Sequence, residues 1–523
     1  MADIELKRTE KQEIPEKDSN ANDIEEDEHK NKKETIRNSN KNVEKSTYLF
    51  FLVCILGLIF GIALEIVKVG KDTKDTKPKY WVYSARQDVD SREGLLKHVH
   101  LVLGRLGWEK STNATPWDLL WSHDWPFTAL APHLYQLQPH QRVNHFPGTG
   151  FITNKVDLAT SESKYIPKAF RLPKNKEEFL KYAVENKDVM FVEKNNQHRG
   201  VVLKNVSQVD LASGDSFVQE YLQRPFLVDG HKFDIGVYVV LTSVDPLRAY
   251  WYKGDILFRF CTEKYYPFDP RDLNKYVVGD DYLPAWKVPS LSRAYSTLGL
   301  SVKDAFDIYA RSQGKDPDRM WEEVQQSIAE VLLAKERHVV QALKEYRSRH
   351  NFFELMRFDL VVDEELQVYL LEANMSPNLS SAHFAQNRLL YEQVLYGTFS
   401  LVGVASPLNG YRTDDASEKA ASASMVSSDK NIAVWGAECG ACGPSCAALC
   451  GLCAPCARAA KALRPALAAA HREHTHRADF RRLYPPAMKP NTPPPNLANL
   501  TPMNRLQHLW YQGKCNIDIT WCS

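Results

Sequence analysis

The sequence predicts a mixed α/β (α+β) domain over residues 80–405, and three observations predict it. Runs rich in β-branched and aromatic residues, Val237–Ser243 and Arg248–Tyr252, read as strands. From Asp318 to Arg349, Trp321, Val324, Ile328, Val331, Leu332 and Val339 recur at three- and four-residue intervals, the stripe of one long helix. Asp316-Pro317 just upstream suits its start. Finally, Phe358–Val362 and Val368–Leu371 flank Asp363-Glu364-Glu365, a hairpin pattern. Strands and helices mix rather than strictly alternate, so the sheet is expected to be partly antiparallel.

In chain order, residues 1–47 are polar and of mixed charge, with almost no aromatic residues. Such a segment buries too little apolar surface to offset its ordering entropy, so a disordered tail is expected. The uncharged run Tyr48–Leu64 follows, extended past Glu65 by Ile66 and Val67. At 1.5 Å per residue, roughly 17–20 apolar residues just span a hydrocarbon core, so 48–67 is expected to be a single-pass membrane anchor. A buried core helix would not need its charged flanks, and the run starts too far in for a cleaved signal peptide. The flanks do not orient it: Lys32, Lys33, Arg37, Lys41 and Lys45 precede the run, and Lys68, Lys71, Lys74, Lys77 and Lys79 follow. Residues 68–79 form a basic spacer to the folded domain. Across the chain 66 Lys+Arg balance 65 Asp+Glu, so net charge does not point to nucleic acid.

Residues 406–432 are rich in Ser, Ala and Asp and read as a linker. Beyond them, 433–523 is a Cys-rich C-terminal region. Cys439, Cys442, Cys446, Cys450, Cys453 and Cys456 include paired C-x-x-C units, and Cys515 and Cys522 lie near the end. Zn²⁺, disulfides, S-acylation and plain thiols are all open readings, because the spacing between pairs is shorter than in common zinc modules.

The chemistry concentrates in two blocks. Phe353-Glu354-Leu355-Met356-Arg357-Phe358-Asp359 leads to Leu370-Leu371-Glu372-Ala373-Asn374-Met375-Ser376-Pro377. Glu372 and Asn374 are two apart and share one face of a strand; with Asp359 on the neighbouring strand they present three hard oxygen donors, which suit Mg²⁺. An Asp and a Glu near a hairpin are commonly surface residues, and Asn before Ser-Pro can serve only a turn. Glu372, however, sits in an apolar strand, where a carboxylate needs a partner. Upstream, Phe217–Pro225 precedes Leu227–Asp234, where the Asp229-Gly230 turn leads to Lys232 and Asp234 on one strand face. Those two could be an ordinary ion pair. Still earlier, Phe191–Lys194 runs through Gln197–Gly200 to Val201–Leu203, a strand–loop–strand able to fold over phosphates.

In this order and spacing the blocks resemble the tubulin–tyrosine ligase-like family, of ATP-grasp fold, from roughly Asn144 to Leu401. Asn144-His145-Phe146-Pro147-Gly148, Asn154-Lys155, Gln219–Asp234, Leu257–Tyr265 and 353–379 carry the resemblance. It implies an ATP- and Mg²⁺-dependent carboxylate–amine ligase working through an acyl phosphate. By the same resemblance Asp359, Glu372 and Asn374 bind Mg²⁺, and Lys155 and Lys194 bind nucleotide phosphate. Gln219, Tyr221 and Leu222 form the adenine hinge, while Lys232, Asp234 and Arg259 surround the nucleotide and the amino-acid substrate. Glutamate is the favoured donor, with tyrosine and glycine open, and tubulin or another Glu-rich protein is the expected acceptor.

Two departures bear on activity. The family usually places an arginine two residues after the Lys-Phe-Asp; here that position is Gly236, and a fork-shaped carboxylate ligand is lost. The loop Asn195–Gly200 lacks the usual proline after lysine and has a single glycine. A membrane-tethered nucleotide-binding scaffold with a degenerate ligase domain is therefore the alternative expectation. The sequons at Asn113, Asn205, Asn378 and Asn499 leave the side of the membrane open. A glycan on Asn378 would crowd the cleft, which favours a cytosolic catalytic domain over a luminal one.

Overall fold

The computed structural model describes residues 45, 47–61, 77–86, 94–112, 116–195, 202–212, 214, 216–347, 349–405 and 463–523. The tail, the spacer through 76, the loop 196–200, the linker 406–432 and Cys439–Cys456 lie outside the described residues. The chain divides into two units, Met1–Thr76 and Lys77–Ser523.

In the first unit residues 47–61 are helical. The expected membrane-spanning helix is corrected here: among the described residues no helix is long and apolar enough to cross a membrane. Those helical residues rise roughly 22 Å at 1.5 Å each, short of a hydrocarbon core of about 30 Å. A single-pass membrane localisation, with the catalytic domain on either side, and membrane contact through 48–67 fall with that helix. Residues 62–67 of the expected span lie outside the described residues.

The second unit contains three sheets, and its mixed α/β class is as expected. Strands β1 (Lys79–Tyr83), β2 (Glu109–Lys110), β3 (Leu119–Ser122) and β4 (Arg142–Val143) form a parallel sheet in the order β2-β1-β3-β4. Strands β5 (Ala169–Leu172), β6 (Phe191–Asn195), β7 (Val202–Lys204) and β8 (Ser216–Glu220) form an antiparallel sheet, β5-β8-β6-β7. Helix α3 (Lys176–Glu185), which follows α1 (Lys97–Arg105) and α2 (Lys155–Ala159) in the chain, packs Phe179 and Ala183 against Phe170, Phe191 and Val218 of that sheet.

The third sheet is the largest. β9 (Phe233–Val244) lies at its centre, pairing with β11 (Leu257–Phe260) along its first residues and with β10 (Leu247–Tyr252) along its last. β12 (Leu283–Pro284) continues one edge, and β15 (Phe480–Tyr484) continues the other beside β10. β13 (Glu354–Val362) also pairs with β9, and β14 (Val368–Asn374) pairs with β13. Because β9 is covered on both faces, it reads as a near-continuous apolar run (Ile235, Val237, Val239 and Leu241 on one face; Tyr238 and Val240 on the other). Both expected hairpin strands extend further than the sequence suggested, the turn being held by Asp363 Oδ1, which accepts from the Glu365 and Gln367 amides at 2.9 Å.

Helix α4 (Pro317–Leu343) starts where expected, with the Asp316 side chain accepting from the Asp318 and Arg319 amides. Its stripe of Trp321, Val324, Ile328, Val331, Leu332 and Val339 is buried against the sheet. It ends at Leu343, before the expected Arg349. Tyr346 instead packs on Tyr135 and Phe352, at ring separations of 5.1 and 5.2 Å. Helix α5 (Arg388–Leu401) covers the opposite sheet face together with α1. Helices α6 (Leu463–Thr475) and α7 (Pro502–Ile517) bring the C-terminal region onto β10 and β15. There Cys515 and Cys522 form a disulfide.

Candidate active site

Antiparallel register assembles the site on one face of the central sheet. Asp234, Gly236 and Tyr238 alternate along β9 and therefore share that face. Arg259 on β11 stands opposite Asp234, and Asp359 on β13 stands opposite Gly236. On β14, Glu372 faces Asp359 and Asn374 faces Arg357. The β13–β14 register shifts between Asp359 and Leu360, leaving Leu371 as the extra residue, and Leu371 lines the adjoining cleft.

The floor is a network of guanidiniums and carboxylates. Arg259 donates through Nε and Nη2 to the two Asp234 oxygens at 2.8 Å each, and Nη2 also reaches Asp359 Oδ2 at 3.0 Å. Arg357 clamps Asp359 through Nε to Oδ1 at 2.6 Å and Nη2 to Oδ2 at 2.8 Å. Asn374 Nδ2 donates to Asp359 Oδ2 at 3.0 Å. Burial alone would raise the Asp359 carboxyl, but the charges and hydrogen bonds of Arg357 and Arg259 outweigh it and hold that carboxyl below its ordinary range. Lys155 reaches Glu372 Oε2 at 3.2 Å. It is placed there by Asn154, which caps α2 by accepting from the Val156 and Asp157 amides.

A cleft of about 150 Å³ opens between the antiparallel sheet and the central sheet. Lys194, Gln219, Tyr221 and Leu222 line one wall, and Lys232, Asp234, Val361 and Leu371 the other. Lys194 donates to Gln219 Oε1 at 3.3 Å, while Gln219 donates to the Pro167 carbonyl at 3.2 Å. Burial, only partly opposed by Glu372, lowers the Lys194 ammonium to about 8. Lys232 donates to the Tyr276 carbonyl at 2.9 Å, and its burial likewise lowers it, against the influence of Cys261 and Asp234. Tyr221 is held by a 3.2 Å hydroxyl contact with Tyr265, so its side chain braces the wall. The turn before Lys232 is a two-residue hairpin, with φ of 51° at Asp229 and 86° at Gly230.

The residues singled out in the sequence thus fall around one cleft and its floor. Sequence reasoning assigned no role to Arg357, and it did not identify Pro167, Tyr276, Val277 or Val278 as lining. Arg357 stood one position before the expected strand Phe358–Val362, and neither the face it shares with Asp359 nor its reach across to β9 was legible there.

Asp359, Glu372 and Asn374, two carboxylates and an amide, lie in neighbouring register, where Asp359 is engaged by Arg357, Arg259 and Asn374 and Glu372 by Lys155. Among the described residues no group of three or more His, Cys, Asp or Glu could hold a metal ion. The proposed zinc cysteines Cys439–Cys456 lie outside the described residues.

Two sheets of a mixed α/β unit close on a cleft with lysines on both walls and carboxylates beside it. The chain belongs to the tubulin-tyrosine ligase family, whose model matches residues 134–410. It is 40% identical over 415 residues to the probable tubulin polyglutamylase ttll-15 of Caenorhabditis elegans, covering 78% of this chain and 79% of that one. It is 28% identical over 313 residues to the tubulin polyglutamylase TTLL7 of Homo sapiens, covering 54% of this chain and 34% of that one. With the tubulin monoglutamylase TTLL4 of Homo sapiens it shares 28% identity over 308 residues, 54% of this chain and 25% of that one. The alignments thus span a third or less of these two human relatives.

Proposed function

We propose that this chain is an ATP- and Mg²⁺-dependent ligase that joins glutamate to glutamate side chains of a protein acceptor, with tubulin as the acceptor its relatives' names suggest. The observation that carries the reading is the meeting of Asp359, Glu372 and Asn374 with Arg259 and Lys155 on the floor beside a cleft lined by Lys194 and Lys232. Gln219, Tyr221 and Leu222 would receive the adenine of ATP, and Lys155, Lys194 and Lys232 would hold its phosphates. Asp359, Glu372 and Asn374 would hold Mg²⁺, which would supply neutralising charge to the phosphates.

The γ-phosphoryl group passes to a carboxylate oxygen of the acceptor, and ADP leaves. The amine of the incoming glutamate then attacks the acyl carbon, loses a proton, and inorganic phosphate departs with the C–O bonding pair. Arg259 and the cleft lysines hold the oxyanions that develop in both steps. The scaffold alternative rests on Gly236 and the loop after Lys194, and that loop is outside the described residues.

The test is to incubate the full-length chain with Mg·ATP, tubulin and each labelled amino acid in turn, beside Glu372→Gln. Label from glutamate entering tubulin, falling by at least about 100-fold in the variant at unchanged Tm, is expected. A variant that ligates normally overturns the metal assignment. No label from any amino acid, with ATP still bound, overturns the ligase reading in favour of a scaffold.

A further inference from the structure

Gly236 sits at the heart of the site face, between Asp234 and Tyr238, in a β9 that any residue could continue. Its φ is not among the positive values in this chain, so backbone conformation does not require glycine. Space does. A Cβ at position 236 would lie 3.0 Å from Arg357 Cδ, 3.4 Å from Arg357 Nε and 3.4 Å from Leu257 Cβ. The Arg357 side chain therefore crosses from β13 and fills the volume that a residue at 236 would occupy. There it is buried, only 7% exposed, with its guanidinium clamped on Asp359.

We propose that Arg357 joins Arg259 in holding the oxyanion at this site and that positions 236 and 357 form one exchangeable unit, the guanidinium being delivered from β13 instead of β9. This deepens the ligase reading and rests on it. The charge balance supports an anionic ligand. Arg259 and Arg357 are matched by Asp234 and Asp359, and Lys155 by Glu372, whereas Lys194 and Lys232 donate to a neutral amide and a carbonyl. The excess positive charge lies on Lys194 and Lys232; the Arg357 fork rests on Asp359, and only when Asp359 turns to another partner would it supply paired donors in fixed geometry to a carboxylate or phosphoryl oxyanion beside those lysines. Gly236 is then not a lesion of the site but the clearance that admits Arg357.

Four variants of the full-length chain test this: Arg357→Lys, Arg357→Gly, Gly236→Arg, and the double exchange Gly236→Arg with Arg357→Gly. Arg357→Lys keeps the charge, removes the fork and adds no clash. It is expected to raise the KM for glutamate, or weaken nucleotide binding, by at least about tenfold with Tm nearly unchanged. The first effect assigns the fork to the amino-acid carboxylate, the second to the phosphoryl group. Each exchange single variant is expected to lose about 100-fold in kcat/KM, and the double to recover to within about tenfold of the parent.

A double variant as poor as the product of the singles, or an Arg357→Lys indistinguishable from the parent, overturns the proposal. Thermal stabilisation by ATP, measured on all five proteins, separates the two readings. If the parent does not ligate glutamate but the double regains ATP-induced stabilisation lost in the singles, the exchange stands and the ligase reading falls. If the parent ligates and the double recovers neither readout, the exchange falls alone.

Discussion

Lys194 shows what burial does to a cation that no carboxylate touches directly. Its ammonium donates to the Gln219 amide, faces Glu372, Lys155 and Lys232 at longer range, and is lowered to about 8 chiefly by burial. The charged form, which nucleotide phosphate requires, is present below pH 8 and lost as pH rises through it. From pH 7 to pH 9 the charged fraction falls from roughly nine-tenths to roughly one-tenth, so ATP affinity is expected to weaken over that range. In Lys194→Arg the same titration, followed by ATP-induced thermal shift, should be flat in this window. The linkage to stability has the opposite sign. A lysine whose folded value lies below its unfolded one penalises the fold below pH 8, and the penalty is relieved between 8 and 10.5. At this scale much was legible: the two-residue spacing of Glu372 and Asn374 and of Lys232 and Asp234 put each pair on one strand face. Arg357 escaped because its role depends on which strand lies beside β13.

At the level of elements, the segment from Asn144 to Lys155 connects the parallel sheet to the site. Glu354 at the head of β13 is completely buried and accepts from the Phe146 amide at 2.7 Å and from Thr149 Oγ1 at 2.8 Å, while its other oxygen lies 2.7 Å from His145 Nδ1. Gly148 allows this turn, at φ 88°, and a Cβ there would meet Val339 Cα at 3.0 Å and the His338 carbonyl at 3.2 Å. Both are backbone atoms of α4 and do not yield easily. Gly148→Ala is expected to destabilise the fold by about 2–4 kcal/mol, combining the left-handed penalty with displacement of the helix. Urea unfolding read by Trp fluorescence checks it; a loss under about 0.5 kcal/mol would mean the helix shifts freely. Element types were largely legible from periodicity, but ends were not. The α4 stripe ran on into Tyr346, whose ring is taken by Tyr135 and Phe352 across the fold.

For the whole molecule, the C-terminal residues 463–523 complete the catalytic unit. β15 covers the edge of β10, and the buried Arg248 on β10 pairs with Glu473 of α6 at 2.8 Å through both Nε and Nη2. Gln507 of α7 accepts from Arg248 Nη1 at 3.1 Å, and Tyr250 donates to Glu473 at 3.0 Å. Removing one member of such a pair leaves a buried, uncompensated charge, so Glu473→Ala is expected to cost about 3–5 kcal/mol, measured by chemical denaturation. Truncation after residue 405 should leave β10 as a bare edge with Arg248 exposed, and the product should aggregate where the full chain does not. A monomeric, cooperatively folding truncation would show that the C-terminal region is dispensable. Composition set this region apart because its cysteines and prolines differ from the domain before it. Strand pairing joins it back.

By itself the sequence determined the mixed α/β class, the α4 stripe, the Asp229-Gly230 hairpin and the strand faces carrying Lys232, Asp234, Asp359, Glu372 and Asn374. All of these follow from local periodicity and turn chemistry, which act over a few residues. Only the tertiary structure decided that Arg357 fills the space left by Gly236, that β15 closes the sheet, and that the described apolar helix is too short to span a membrane. The first two are matters of register between segments more than 100 residues apart, set by which faces must be buried together. The last concerns the described residues alone.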